Sequence, residues 1–333
     1  MTMANKVTIT SSHIDKHGDS MAGTLAKTVI VINGEHKMRM LINHKRELPP
    51  LGFWDNGELV QEGEHFCVKA EENFFGNREL LLWDSNLVKE TNEKSVKLIN
   101  RNVKSETLNV SVDKNNFSCY NDLEQYSTSL KKLFNNEISL DLHTRKAFIP
   151  HPELIIKIAA TSVMYTLIKP MVKRIGEKIA DDFADDIYKS SKEKVKKFQT
   201  YVWKTIRLTK EKTIPKNKDL ITIFEIPGEP YVELYAKTDD AELISKSLSE
   251  RKLQFVRSEI ERLSNYVGIA EIHFFLNEKG NWKFSFLITL TGEIIGTKKS
   301  FDERDKEYKK VLLSPTAGYS VSGGGLQYEK VKK

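Results

Sequence analysis

The sequence predicts an α+β protein with a β-rich N-terminal domain, long central helices and a C-terminal ββαβββ domain. Three observations lead to this class. Polar and apolar residues alternate in short runs before residue 113, as they do in half-buried strands. Apolar residues then recur every three or four positions over a long central stretch, as on one face of a helix. Near the C-terminus, extended runs flank a single amphipathic stretch, which predicts a sheet with a helix packed on it.

The N-terminal domain is predicted over residues 1–113. Residues 21–32 fit either a short helix or a strand, because β-branched residues close this stretch and favour strand. Asp55-Asn56-Gly57 is a strong turn signal between extended runs. The runs that we expect to be strands are residues 6–10, 38–42, 65–70, 80–83 and 108–112.

The middle of the chain divides into a polar connector and a helical, basic segment. The connector covers residues 114–150 and contains one helix, expected from residue 121 to 134. Prolines at 150 and 152 disfavour helix before them and predict a boundary near residue 150. The helical segment follows over residues 151–212, and we expect Pro170 to split it into two helices.

The C-terminal domain is predicted over residues 213–313. Two extended runs joined by a Pro-Gly-Glu-Pro turn are followed by a helix from residue 240 to 266, and three further strands complete the ββαβββ order. Residues 314–333 contain three consecutive glycines, so we expect a flexible tail.

Charge and cysteine content describe the expected setting. The formal net charge of +6 is concentrated between Lys189 and Lys218, where eleven Lys or Arg residues stand beside two acidic ones. Cys67 and Cys119 cannot form a disulfide framework and show no zinc-ligand spacing. Residues 1–12 lack an apolar run of signal-peptide length. We therefore expect a cytoplasmic protein.

Cofactor, metal and membrane motifs are weak in this sequence. No phosphate-binding or dinucleotide-binding glycine motif is present, so no cofactor is predicted. Between residues 158 and 168 the chain is uncharged, but a membrane span needs about 20 apolar residues, so none is predicted. Four residues near the N-terminus could ligate a metal from one side of a strand, but Gly18 indicates a turn and a fourth strong ligand is missing; we predict no metal. Those four residues are His13, Asp15, His17 and Asp19.

A pair of loops between Ser11 and Trp54 carries a family resemblance. The Asp-x-His-Gly-Asp turn at residues 15–19, a strand ending in His44 and the Pro-Pro-Leu-Gly turn at residues 49–52 resemble the phage prohead (capsid maturation) serine proteases. The resemblance covers about residues 8–70. It implies a phage-related hydrolase with a small β-barrel-like protease domain that cleaves peptide bonds with a serine and a histidine, and His44 matches the general base.

The same resemblance implies a nucleophilic serine on a later strand. Ser111, in Leu-Asn-Val-Ser-Val-Asp, is the nearest counterpart of the family's Leu-Ser-x-Gly-Phe motif, although it lacks the Gly-Phe ending. The expected function is a serine endopeptidase, or a degenerate protease domain that binds a protein partner. The sequence leaves open Ser85 and Ser118 as alternative nucleophiles and Asp15, Asp19 or Glu71 as the acid that orients the base.

Two other functions are compatible with the central segment. Its apolar stripe predicts a non-catalytic, oligomeric assembly or defence-type protein whose copies join through the long helices. Its lysines and aromatic residues predict nucleic-acid binding, in which rings stack on bases and cations contact phosphates; the same lysines also fit a solvated helix face. The residues expected to contact an anion or nucleic acid are Lys194, Lys197, Trp203, Lys204 and Arg207.

Overall fold

The computed structural model describes residues 6–12, 17, 22–34, 37–42, 45–79, 108–135, 138–143, 151–169 and 182–313, with residues 22–24, 78–79 and 182–191 as backbone alone. Within these ranges the chain forms seven α-helices and two β-sheets, which confirms the α+β class. It divides into two compact units, residues 1–100 with 286–333 and residues 101–285. The predicted domain limits at residues 113, 150 and 212 stay predictions.

The first unit contains a four-stranded antiparallel sheet with a helix on it. Its elements are β1 (Val7–Ser11), α1 (Ala22–Asn33), β2 (Met38–Met40), β3 (Gly52–Glu62) and β4 (His65–Phe74). The strand order is β1-β4-β3-β2. Residues 22–33 are thus a helix despite the β-branched end of the stretch, because Leu25 and Ile32 are buried against Val68 and Ala70 of the sheet. Burial of this apolar face outweighs the modest helix propensity of its valines and isoleucines.

A bulge in β3 is fastened to α1 by a side-chain amide. The pairing of β3 with β4 shifts register between Asp55 and Glu58. Gly57 lies in this bulge, and a Cβ there would stand 2.9 Å from Ile32 Cγ2, so only glycine fits below the helix. The Asn33 Nδ2 donates to the Gly57 carbonyl at 2.7 Å, and the Gly57 N–H donates to Asn33 Oδ1 at 2.6 Å. The amide therefore satisfies both backbone groups of Gly57.

A second core in the first unit joins distant parts of the chain. Strand β12 (Trp282–Thr289) begins before residue 286 and continues into this unit, where it pairs with β13 (Ile294–Gly296). Strand β13 also pairs in parallel with β5 (Asn77–Glu79), and α7 (Lys298–Leu313) follows it. The buried apolar residues of this core are Phe75, Phe286, Ile288, Ile294 and Phe301.

The second unit is a mixed sheet with helices. Its remaining elements are β6 (Leu108–Asp113), α2 (Tyr120–Leu133), β7 (Ile138–His143), β8 (Glu153–Lys157), α3 (Val163–Ile168), α4 (Asp182–Lys212), β9 (Ile221–Ile226), β10 (Tyr231–Lys237), α5 (Ala241–Ser247), α6 (Glu250–Ser264) and β11 (Ile269–Leu276). The strand order is β12-β11-β10-β9-β8-β6-β7, so β7 is at one edge. Strands β6 and β7 are parallel and joined by α2, which makes them a βαβ unit.

Two predictions for this unit are corrected. Residues 153–157 were expected to begin the helical segment, but they form β8 between β6 and β9. The reason is that Leu154, Ile155 and Ile156 all make apolar contacts, so the strand reads as a short continuous apolar run, which periodicity does not separate from helix. The helix predicted over residues 240–266 is two helices, α5 and α6, separated at Leu248 and Ser249.

Helix α4 buries its apolar stripe inside the second unit. Val195, Phe198, Val202 and Ile206 are at most 9% exposed, and α4 contacts α2 and α5. This part of the stripe is therefore covered by the chain itself. The earlier part of the predicted stripe, before Asp182, lies mostly outside the described residues, so association of copies through it stays a prediction. In the described ranges, no helix is both long and apolar enough to cross a membrane.

Candidate active site

Strand register places a serine, a histidine and a glutamate on one face of the second sheet. Asp113 of β6 pairs with His143 of β7, and Ser111 of β6 pairs with Ile155 of β8. Paired residues point to the same face, as do residues two apart on one strand. Ser111, His143 and Glu153 therefore project together from three neighbouring strands.

These three side chains form a continuous hydrogen-bonded chain. The Ser111 Oγ lies 2.8 Å from His143 Nδ1, and His143 Nε2 lies 3.2 Å from Glu153 Oε1. In the tautomer that carries its proton on Nε2, the ring donates to the Glu153 carboxylate and accepts the Ser111 hydroxyl proton at Nδ1. The order of groups matches a Ser-His-acid triad, with the two ring nitrogens exchanged relative to the usual serine protease arrangement.

The Glu153 end of this hydrogen-bonded chain is more deeply buried than the His143 and Ser111 end. The Glu153 side chain is 5% exposed, whereas the His143 side chain is 28% exposed and Ser111 is half-buried. A buried carboxylate is costly unless it receives hydrogen bonds, so Glu153 favours a ring orientation that keeps Nε2–H directed at it. The serine end, in contrast, is accessible from solvent. In this arrangement Glu153 can orient the His143 ring from the buried side, while the Ser111 hydroxyl stays accessible to a substrate.

Neighbouring polar contacts hold the strands that carry the site. The Asn109 Nδ2 donates to Ser139 Oγ and to Asp141 Oδ2, both at 2.8 Å, which ties the edge strand β7 to β6. At the end of β6, the Asp113 Oδ1 accepts from the Asn115 N–H at 2.9 Å and starts a tight turn. These bonds fix the strand ends from which Ser111 and His143 project.

A second histidine lies on the same sheet face, among buried acids. The His273 Nε2 is 3.3 Å from Glu271 Oε2, and Nδ1 is 3.8 Å from Glu233 Oε1. Tyr231 donates to Glu233 Oε2 at 3.2 Å. All four side chains are at most 4% exposed. Among the described residues, no three His, Cys, Asp or Glu side chains are placed together so that they could hold a metal ion.

The structure pairs Ser111 with a histidine that the sequence interpretation did not select. His44, the predicted base, lies outside the described residues, as do Ser85, Asp15 and Asp19. Of the remaining alternatives, the possible nucleophile Ser118 is exposed beyond the end of β6, and the possible orienting acid Glu71, on β4, accepts from Asn56 Nδ2 at 2.8 Å. Among described residues, His143 and Glu153 are therefore the partners of the predicted nucleophile.

A sequence signal for His143 was available. Residues 138–143 read Ile-Ser-Leu-Asp-Leu-His, a strict alternation that is typical of a half-buried strand and puts the histidine on its polar face. The interpretation of this stretch as a connector concealed it. Glu153 was concealed because it was assigned to a helix.

The residues predicted to contact nucleic acid all lie on α4 but face different directions. The Arg207 guanidinium stands 4.7 Å from the centre of the Trp203 ring, and Lys204 is exposed on the same side of the helix. Lys197 lies over Tyr201 at 5.7 Å. Lys194 is about two and a half turns from Trp203 and therefore points to the opposite side of the helix.

Comparison with known proteins gives no match for this chain among protein-family models, curated proteins or solved structures.

Proposed function

We propose that this protein is a serine hydrolase in which Ser111 is the nucleophile, His143 the general base and Glu153 the group that orients the base. The observation that carries the proposal is the unbroken contact from Ser111 Oγ through both ring nitrogens of His143 to Glu153 Oε1. A serine hydroxyl is a poor nucleophile until a base within about 2.6–3.2 Å accepts its proton. His143 Nδ1 meets that requirement.

The reaction follows from the positions of the protons. As Ser111 Oγ forms a bond to a substrate carbonyl carbon, its proton passes to His143 Nδ1, and the resulting imidazolium is stabilised by Glu153. The ring then gives that proton to the leaving group as the carbonyl–leaving-group bond breaks, which leaves an acyl ester on Ser111. Water attacks this ester, His143 takes its proton, and the proton returns to Ser111 Oγ as the acid product departs.

The substrate class follows from the resemblance to prohead proteases. That resemblance implies an amide bond in a protein partner, cleaved by a serine and a histidine. In the proposal His143 takes the role that the resemblance implied for His44, because His143 is the described histidine within hydrogen-bonding distance of Ser111 Oγ. A degenerate domain of the same fold would still bind the protein partner but would not form the acyl ester on Ser111.

A fluorophosphonate probe tests the nucleophile directly, because it forms a covalent bond with an activated serine. We expect the wild-type protein to be labelled and the label to map to Ser111 by peptide mass spectrometry. Ser111→Ala should abolish labelling. Ser118→Ala is the matched control, since Ser118 is the alternative nucleophile in the described part of the chain and is exposed beyond the end of β6; this variant should be labelled like the wild type.

The proposal is wrong if folded wild-type protein is not labelled, or if Ser111→Ala is labelled equally. Circular dichroism of each variant establishes that it is folded before its labelling is compared. Labelled protein that cleaves neither itself nor any model peptide or ester would limit the activity to acylation and would favour a degenerate domain.

A further inference from the structure

A cleft of about 330 Å³ opens between α4 and α5. Four of its lining residues come from successive turns of α4, at spacings of three and four that bring side chains onto one helix face. Ser245 of α5 closes the other side, and its Oγ donates to the Gln199 carbonyl at 2.9 Å, which fixes the two helices together. The lining residues are Lys196, Gln199, Thr200, Trp203 and Ser245.

The cleft joins an aromatic surface to groups that can form hydrogen bonds. The Trp203 ring is half-buried in its wall, and the Arg207 guanidinium lies over the ring and holds it in place. Gln199 adds an amide that both donates and accepts. Lys196 is exposed and forms no ion pair within the described part of the chain. An aromatic plane, an amide and an unpaired ammonium together suit a flat heterocycle attached to an anion.

Positive charge continues along the helix beyond the cleft. Lys196 and Arg207 share the Trp203 face and are about 16 Å apart along the helix axis, at 1.5 Å per residue. Lys204 is exposed between them on the flank of this face. One nucleotide would fill the cleft but would not reach both ends of this row of charges, whereas a polymer with a phosphate on every unit would.

We propose that α4 binds single-stranded nucleic acid, with one unstacked base in the cleft against Trp203 and the neighbouring phosphates on Lys196 and Arg207. An unpaired strand is required because its bases are free to leave the stack and lie on an aromatic ring. This inference is independent of the hydrolase site, since Ser111 and His143 take no part in it.

Fluorescence anisotropy with a labelled 12-nucleotide oligothymidylate measures the binding. Trp203→Ala should weaken binding about 5- to 150-fold, the range for loss of one base–aromatic stack. Lys196→Ala and Arg207→Ala should each lower the slope of log affinity against log salt by about 0.7, the value for one phosphate contact on a single strand. Lys194→Ala is the matched control: it removes one lysine from the opposite side of the helix and should change neither quantity.

Several results would overturn this inference. These are absence of binding at low salt, equal affinity for duplex of the same length, equal affinity for a mononucleotide, or an unchanged affinity in folded Trp203→Ala. A Lys194→Ala effect as large as that of Lys196→Ala would reduce the interaction to diffuse charge attraction and would also contradict it. If Trp203→Ala does not fold, the double variant Lys196→Glu and Arg207→Glu, at exposed positions, should abolish binding.

Discussion

Two histidines lie on one face of the same sheet, yet they differ in exposure to solvent and in the side chains next to their rings. His143 is on the edge strand, is 28% exposed, and contacts one hydroxyl and one carboxylate. His273 is on an inner strand, is buried, and lies between the carboxylates of Glu233 and Glu271. The first ring is partly open to solvent beside a serine hydroxyl, whereas the second is closed off from solvent and has a carboxylate near each of its nitrogens.

A histidine beside a carboxylate is not by itself evidence of catalysis, because such pairs also occur in purely structural ion-pair networks. Buried ionic groups can also be purely structural. Replacing one of them is strongly destabilising, because its partner is left as an uncompensated charge in the interior. The His143 site is distinguished by its access to solvent, because His143 and Ser111 are partly exposed whereas His273 is buried.

The largest effect is expected from Glu153→Gln. The amide can donate to His143 Nε2, which favours the tautomer with a proton on Nδ1, and that nitrogen could then no longer accept the Ser111 proton. We expect the rate of fluorophosphonate labelling to fall by about 10²–10⁴, as for loss of the orienting acid in a triad. Glu225→Gln is the control, because Glu225 lies on the same sheet face but outside the hydrogen-bonded chain of Ser111, His143 and Glu153; this variant should be labelled at the wild-type rate. Equal labelling by both variants would remove Glu153 from the mechanism.

Replacement of His273 should lower the free energy of unfolding more than replacement of His143, whereas replacement of His143 should have the larger effect on labelling. His273→Ala leaves two carboxylates adjacent in the interior and should lower the free energy of unfolding by about 3–5 kcal/mol. His143→Ala removes hydrogen bonds at a half-exposed position and should cost about 1–2 kcal/mol while abolishing labelling. Urea unfolding monitored by circular dichroism measures both. The comparison between the sites fails if the costs are reversed, or if His273→Ala remains stable but cannot be labelled.

A buried pair without charge gives the smallest effect and a pH dependence. The Tyr126 hydroxyl lies 2.9 Å from Thr209 Oγ1, and burial raises the pKa of Tyr126 above its ordinary value, although the bond to Thr209 opposes the rise. Tyr126→Phe should cost about 1 kcal/mol at neutral pH.

The sign of the pH effect follows from linkage. The unfolded chain releases the tyrosine proton near pH 10, whereas the folded chain retains it, so the wild type loses stability as the pH rises above about 10. The Phe variant lacks this group, and the difference between the two proteins should therefore shrink between pH 9 and 11. Urea midpoints at pH 7, 9, 10 and 11 measure it. A constant difference over that range would contradict the assigned cause.

Periodicity predicted those elements that bury one face. The stripe of α4 was readable because Val195, Phe198 and Val202 recur at helical spacing and are buried as expected. The strand β8 was not, because Leu154, Ile155 and Ile156 form an unbroken apolar run. Leu154 and Ile156 are buried on one face, and Ile155 packs against the cluster that contains Ile223 on the other. The strand β7 was readable in principle, since its alternation is complete.

The candidate site was predictable only in part. Ser111 was selected as a strand serine, but its partners depend on which strands pair and in which register. The parallel pairing that brings His143 beside β6 spans an intervening helix, and a slip of one residue would turn His143 to the other face. No local pattern encodes that register, so the sequence could point to Ser111 as a candidate but not to the histidine that the fold brings beside it.

The βαβ unit formed by β6, α2 and β7 brings Ser111, His143 and Glu153 together from a short part of the chain. Ser111 and His143 are separated by 32 positions and His143 and Glu153 by 10, so the contacts between them have low contact order. Closing such short loops costs little chain entropy, and local contacts of this kind form early in folding. A nascent chain that has reached Lys157 already contains Ser111, His143 and Glu153. The strand β9, which flanks β8, is synthesised only afterwards.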